Sequence, residues 1–507
     1  MRVALLTLVA LASLSLVHSP AMAEPDPPAQ SSEALKPVAE QSVRTRHQIR
    51  IGGKPVKYTA VAGTLTIRDD KGQPRASMFY VAYMLDPNDR SRPVTFLYNG
   101  GPGSSSVWIH LGSFGPKRAE LPGPGQAAGN PPYELIDNQQ TLLPKSDLVF
   151  LDAISTGYSR PAPGVAARDF LTADADAEAF AKGIERFLTL HDRWNAPKFL
   201  FGESYGTARN AALVDRLQRD GVQMNGVIAL GSILDISRVI NQDDRLFITI
   251  VPSYAVTAAF HRRIAHSGDQ QSLISSAIQW AEGPYAQALA KGTTLSNSER
   301  ASTARQLAQY SGLPEQFILQ NDLRVDPDKF RAELLRDQGV AVGELDARYT
   351  ADEPPGTRDA PTFDPSGNGT FRIIVSQMNS YIHGDLGFST DLEYRRSDPE
   401  TSRAFDFRRA GNGAFSSAFG SYGDDLAHAM TVNPRLQVLT LNGLFDLSTI
   451  FYGAVYDYHH LKIPRALANN ITYKYYDAGH MAYTDDTVRR QMLADIERFY
   501  DKAAPVR

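Results

Sequence analysis

The chain has no cysteine. That absence removes thiol nucleophiles, thiolate zinc sites and iron–sulfur ligation together. A strong charge of either sign is also missing: 52 basic side chains face 56 acidic ones, a net charge of −4. Nothing in that balance points to a nucleic-acid partner or an acidic substrate. There is no H-E-x-x-H metalloprotease helix motif, and His261 and His266 stand at the wrong spacing for one. The glycine-rich stretch at Gly100, Gly101 and Gly103 is not continued as a G-x-x-x-x-G-K-[ST] phosphate loop.

Long apolar runs are confined to the N-terminus. Met1-Arg2 gives a positive start, and Val3 to Val17 is apolar apart from Thr and Ser. Ala21-Met22-Ala23 then supplies a small-x-small cleavage pattern before Glu24. The reading is an export leader, and the run is short for a membrane anchor of ~20 residues. A periplasmic or secreted protein with no anchor after cleavage is therefore expected.

What remains has ordinary globular composition, 42% hydrophobic and 21% charged, so a packed core is expected. At 507 residues the chain exceeds one compact core, which implies a large domain with an insertion, or two domains. Residues 24–46, with Pro25, Pro27 and Pro28, read as a mobile lead-in. From His47 to Leu85, 'KYTAVAGTLTIRD' and 'ASMFYVAYML' flank Asp-Asp-Lys-Gly, the pattern of an antiparallel hairpin or meander.

The pattern then changes to short runs that are apolar on both faces: 'VTFLYN', 'DLVFLD', 'KFLFG', 'NGVIALG', 'LQVLTLN' and 'ITYKYY'. Such runs mark strands of a parallel sheet covered by helices. A helix is expected over 172–194, with Phe180, Ile184, Phe187 and Leu188 on one face behind a Thr172/Asp174 start. The segment 236–420 breaks this rhythm with several helical pieces and a Pro/Gly/Asp-rich stretch. The expected partition is a leader (1–23), a lead-in (24–46), an N-terminal core segment (47–235), a mostly helical insertion or cap (236–420) and a C-terminal segment that completes the core (421–507).

One motif carries chemistry in its right context. Gly202-Glu203-Ser204-Tyr205-Gly206 follows a predicted strand and opens a predicted helix, as a G-x-S-x-G nucleophile elbow does. The bland alternative is a glycine-rich turn with no catalytic role. The elbow reading implies an α/β-hydrolase fold, in which acid and histidine follow the serine on loops after later strands. Asp446 comes after 'LQVLTLN' in 'GLFD', and His480 comes after 'ITYKYY' in 'DAGHM'. Asp477 is a second candidate acid, but only three residues separate it from His480 on the same loop. Gly100, Gly101 and Gly103 in 'NGGPGSSS' can bring backbone N–H groups to a substrate oxygen, as an oxyanion hole requires, or can simply form a tight turn.

With these residues in place, the chain resembles the serine carboxypeptidase family. 'NGGPGSSS', 'GESYG', 'NGLFD' and 'AGHM' resemble its signature segments in family order, and 'FLDAISTGYS' resembles a fifth more loosely. The resemblance implies that Ser204 attacks the carbonyl, His480 is the general base and then acid, and Asp446 orients it. It implies an oxyanion hole from the N–H groups of Gly101 and Tyr205. It also implies recognition of the substrate's terminal carboxylate by Asn99, Gly100 and a protonated Glu203. A carboxyl facing another carboxylate while desolvated has its pKa raised, so peptidase activity is expected to favour acid pH. A purely structural Glu203 bonded to Asn99 is the alternative.

No metal or organic cofactor is implied, and the partners expected are peptides with a free C-terminus. The sequence departs from the family pattern at Leu97 (an aromatic is usual), Ser104 (a cysteine), Ser113 (a glutamate) and in 'YGTARN' after the nucleophile. These departures touch terminal-carboxylate specificity more than hydrolysis. An esterase or acyltransferase with the same triad, and a silent binding protein of the same fold, are the rival expectations.

Overall fold

The structure is a computed structural model that describes residues 40–123, 129–266, 268–354, 356, 359–367, 370–409 and 422–505. The expected leader and all but the end of the lead-in lie outside the described residues. Among the described residues, no helix is long and apolar enough to cross a membrane.

Nine strands form one path through a ten-stranded sheet: β1 (Ser42–Ile51), β2 (Lys54–Arg68), β3 (Pro74–Leu85), β4 (Val94–Tyr98), β5 (Asp147–Leu151), β6 (Lys198–Glu203), β7 (Gly226–Leu230), β8 (Gln437–Gly443) and β9 (Ile471–Tyr476). The spatial order is β1-β2-β3-β5-β4-β6-β7-β8-β9, with the short strand Arg160–Pro161 beside β3. Strands β1 to β3 run antiparallel, β3 meets β5 antiparallel, and β5 through β9 and β4 pair in parallel. Every residue of β4, β5, β6, β7 and β8 is buried. Apolar character on both faces of those runs follows from that double coverage. The meander is longer than the alternation suggested, because Ser42 to Arg46 already pair with Gly63 to Thr59.

Helix Ala173–Leu190 begins at Thr172, whose side chain accepts from the Ala175 N–H, and it buries Phe180, Ile184, Phe187 and Leu188. With helices Tyr205–Arg219 and Tyr422–Val432 it covers one face of the sheet. Helices Asp486–Ala503 and Thr370–His383 cover the other. The predicted insertion thus divides. Its leading stretch forms a separate core with Leu246, Tyr254, Trp280 and Phe330, while Ile373, Ile374 and Met378 pack on the sheet. That separate core is continuous with Leu444, Phe445 and Leu447 of the loop after β8.

From β4 the chain crosses to β5 on one side and then to β6 on the other. That reversal opens a crevice beyond the carboxyl ends of β4 and β6, the usual place for a ligand in an open α/β sheet. Beneath it lies a buried charge pair. Arg209 Nε donates to Asp176 Oδ2 at 2.6 Å, and its Nη1 donates to the Asn99 carbonyl at 2.7 Å. Its guanidinium lies 4.3 Å from the Phe180 ring centroid and 5.1 Å from that of Tyr205. One side chain therefore ties two helices to the loop that leaves β4.

Removing one member of such a pair strands a buried charge, at a cost of about 3–5 kcal/mol. Asp176→Ala is expected to lower the urea midpoint accordingly, whereas replacing both partners with apolar side chains of similar volume is expected to cost far less. Equal midpoints for Asp176→Ala and the unmodified protein would contradict the pair's structural role.

Candidate functional site

The serine turn is built by close packing. Ser204 sits between β6 and the following helix at φ 61° and ψ −131°, a conformation that non-glycine residues adopt at a cost. Its N–H donates to the Leu230 carbonyl of β7 at 2.9 Å. A Cβ on Gly202 would lie 2.1 Å from the Gly206 carbonyl oxygen, so no side chain fits there. Glu203 and Tyr205 are buried on either side, and Ser204 alone of the three is partly exposed. Sequence pattern and local geometry agree on why this turn needs small flanking residues.

Asp446 and His480 are brought together from the loops after β8 and β9. His480 Nδ1 lies 2.7 Å from Asp446 Oδ2 and 2.9 Å from Thr449 Oγ1. The Thr449 hydroxyl donates to the same Asp446 oxygen at 2.7 Å, and the N–H groups of Ser448 and Thr449 donate to the other at 2.9 and 2.8 Å. Two backbone crossings make this possible. A Cβ on Gly443 would lie 2.1 Å from the Gly479 oxygen, and one on Gly479 would lie 2.1 Å from the Leu345 oxygen. Leu345 belongs to the insertion, and Asp346 beside it accepts from the Gly479 N–H at 3.0 Å. The insertion therefore helps to fix the histidine loop.

Asp477 is exposed and accepts from the Gln270 side chain at 3.0 Å, so it does not partner the imidazole. His261 hydrogen bonds with the Ala347 carbonyl at 2.7 Å, and His266 is exposed. Gly231 lies between the serine turn and the imidazole. The residue before it accepts the Ser204 N–H, and a Cβ on Gly231 would lie 2.9 Å from His480 Nδ1. No hydrogen bond of the Ser204 hydroxyl is present among the described residues. Burial draws the His480 pKa down, but the Asp446 carboxylate and its hydrogen bond, helped by Glu203, outweigh it and hold the imidazole above its usual range. The site is electrostatically ready to hold a proton at His480.

Beside the serine lies a buried polar cluster. Glu203 is buried, accepts from the Tyr483 hydroxyl at 2.9 Å and is also hydrogen-bonded by the Asn99 side chain. Burial pushes its carboxyl up to about 7, against the lowering effect of His480, Tyr483 and Asn99. Asn99 is itself aligned: its Oδ1 accepts from the Ile109 N–H at 3.0 Å. The loop carrying Gly100 and Gly101 packs on the serine turn, so that a Cβ on Gly100 would lie 2.4 Å from Tyr205 N. Gly101 is exposed at the mouth of this crevice.

The departures noted in the sequence have definite places. Leu97 is buried in β4. Ser104 accepts from the Trp108 indole at 2.8 Å and bridges to Ser397. Ser113 turns its hydroxyl to the Ile109 carbonyl rather than into the pocket. Asp152, in the loosely matching segment, holds the glycine loop by accepting from Ser106 N–H at 2.8 Å and Ser106 Oγ at 2.7 Å. Sequence reasoning missed Thr449, Tyr483, and Leu345 and Asp346. The first two lie three residues after Asp446 and His480, where a search for polar neighbours could have found them. Leu345 and Asp346 carry no local signal.

The parallel sheet, the serine turn at the crevice and the loops after later strands define an α/β-hydrolase fold and the serine hydrolase class. Residues 52–245 match the serine carboxypeptidase family. The structure is similar to the prohormone-processing carboxypeptidase Kex1 of Saccharomyces cerevisiae, with a TM-score of 0.55 and 15% identity, covering 87% of this chain and 91% of that one. It is less similar to an aryl esterase from Burkholderia cenocepacia, described as putative, with a TM-score of 0.38 and 10% identity, covering 87% of this chain and 98% of that one. No curated protein sequence matches the chain.

A hydrogen bond to a charged group contributes about 1.5–3 kcal/mol, and about 1.4 kcal/mol is a tenfold change in rate. Thr449→Val removes such a bond from Asp446 while keeping the side chain's shape. Hydrolysis of an activated acyl ester is expected to slow by at least about tenfold. An unchanged kcat would show that Asp446 does not need the hydroxyl.

Proposed function

We propose that this protein is an exported serine carboxypeptidase that removes the C-terminal amino acid of peptides through an acyl-enzyme on Ser204. The observation that carries the reading is the buried, high-pKa carboxyl of Glu203 immediately beside the candidate nucleophile, with Asn99 next to it. A hydrolase acting on neutral esters has no use for a protonated carboxyl at that point. A peptide's terminal carboxylate needs such a donor. The leader pattern at Met1 to Ala23 supports export.

In this mechanism the penultimate carbonyl lies against Ser204, and His480 takes the hydroxyl proton as Oγ attacks. Asp446 and Thr449 hold the imidazole, and Asp446 stabilises the imidazolium that forms. The N–H groups of Gly101 and Tyr205 are assigned to the developing oxyanion. His480 then returns its proton to the departing amine, and a water attacks the acyl-enzyme in the same way. Asn99, Gly100 and protonated Glu203 hold the terminal carboxylate, which sets the scissile bond one residue from the chain end.

Glu203 binds a carboxylate only while protonated. Its contribution is therefore complete below about 7 and is lost as pH rises through that value. His480 ionisation affects every substrate, so a ratio isolates Glu203. Measured on an N-blocked dipeptide acid and its ester, the acid-to-ester ratio of kcat/KM is expected to fall about tenfold per pH unit above neutrality. Glu203→Gln, which donates at any pH, is expected to flatten that fall. Ester hydrolysis without any cleavage of the acid would favour an esterase instead, and a flat ratio in the unmodified protein would remove Glu203 from carboxylate recognition.

A further inference from the structure

Glu203 can recognise a terminal carboxylate only if its proton sits on the right oxygen and points the right way. A neutral carboxyl has one oxygen that donates and one that accepts, and burial alone does not choose between them. Around Glu203 the structure sets a donor on one named oxygen. The groups that face it are His480, Asp446, Asn99 and Tyr483. Of these, Tyr483 donates to Oε2 from 280 positions away in the chain.

Tyr483 is locked. It is fully buried in the short turn Ala482–Thr484 that follows the histidine loop. Its ring packs on Gly112, where a Cβ would lie 2.7 Å from the tyrosine Cε2. Arg489 Nη1 donates to its carbonyl at 2.8 Å. The side chain at the next position, Ser113, is committed to the Ile109 carbonyl and does not enter the pocket. The space beside Glu203 is filled by the Tyr483 phenol, packed on Gly112.

We propose that Tyr483 is a positioning residue for terminal-carboxylate specificity: by donating to Oε2 it makes that oxygen the acceptor and leaves the acidic proton on Oε1. The inference rests on the carboxypeptidase reading above. The phenol carries its proton across the neutral pH range, so it is able to donate to Oε2 whether or not Glu203 is ionised. The same bond stabilises ionised Glu203, and its loss moves the carboxyl's titration upward.

Tyr483→Phe keeps the ring against Gly112 and deletes only the hydroxyl. The experiment is the pH profile of kcat and KM for the N-blocked dipeptide acid and its ester, with the unmodified enzyme and the variant side by side. At pH 5 the acid-to-ester ratio of kcat/KM is expected to fall about three- to tenfold in the variant, the scale of one hydrogen bond, with the loss mainly in KM. The alkaline midpoint for the acid is expected to move up. A thermal melt reports whether the variant folds, and its ester profile reports on Ser204 and His480. Equal losses on both substrates, or an unchanged acid profile, would overturn the inference. An unmodified enzyme that hydrolyses the ester but never the acid would overturn the carboxypeptidase reading and the inference with it.

Discussion

The site depends on backbone meeting backbone at van der Waals distance. The loop after β8 presses on the loop after β9 at Gly443, and that loop presses on the insertion at Gly479, each so tightly that a methyl group has no room. The same is true within the serine turn at Gly202. Such contacts are stiff, because interiors are close-packed and do not yield by fractions of an ångström without cost. They hold the loops that carry Asp446 and His480 against each other and against the insertion. Side-chain hydrogen bonds then finish what the backbone has placed.

Electrostatically the site is one cluster rather than a triad with neighbours. Asp446 is wholly buried and accepts from the Thr449 hydroxyl and from the N–H groups of Ser448 and Thr449. Burial pushes the Glu203 carboxyl up to about 7, against the lowering effect of His480, Tyr483 and Asn99. Two carboxyls beside one histidine thus take different roles through their surroundings. When Glu203 is protonated, the imidazole feels one negative charge fewer, with Asp446 and Glu344 remaining, and its own proton is released more readily.

Much of this was legible before any coordinates. The β4 to β9 runs stood out because helices cover both faces, and Ser204, Asp446 and His480 each follow such a run. Other features were not legible for physical reasons. The start of β1, 'SVRTR', lies at the sheet edge with its residues largely outside the core, so its alternation is faint. The insertion was expected to be mostly helical, but its division was hidden, since apolar periodicity does not say which surface a helix will cover. Tyr483 was passed over because an isolated tyrosine after a histidine motif is ordinary. Only the structure brings it to Glu203.

The most direct measurement is the site of modification by a fluorophosphonate, mapped by mass spectrometry on the native protein. A single adduct on Ser204, formed far faster than on the His480→Ala variant, is the predicted result. No adduct, or modification of other serines at the same rate, would contradict the convergence of serine, imidazole and carboxylate on which the proposed chemistry rests.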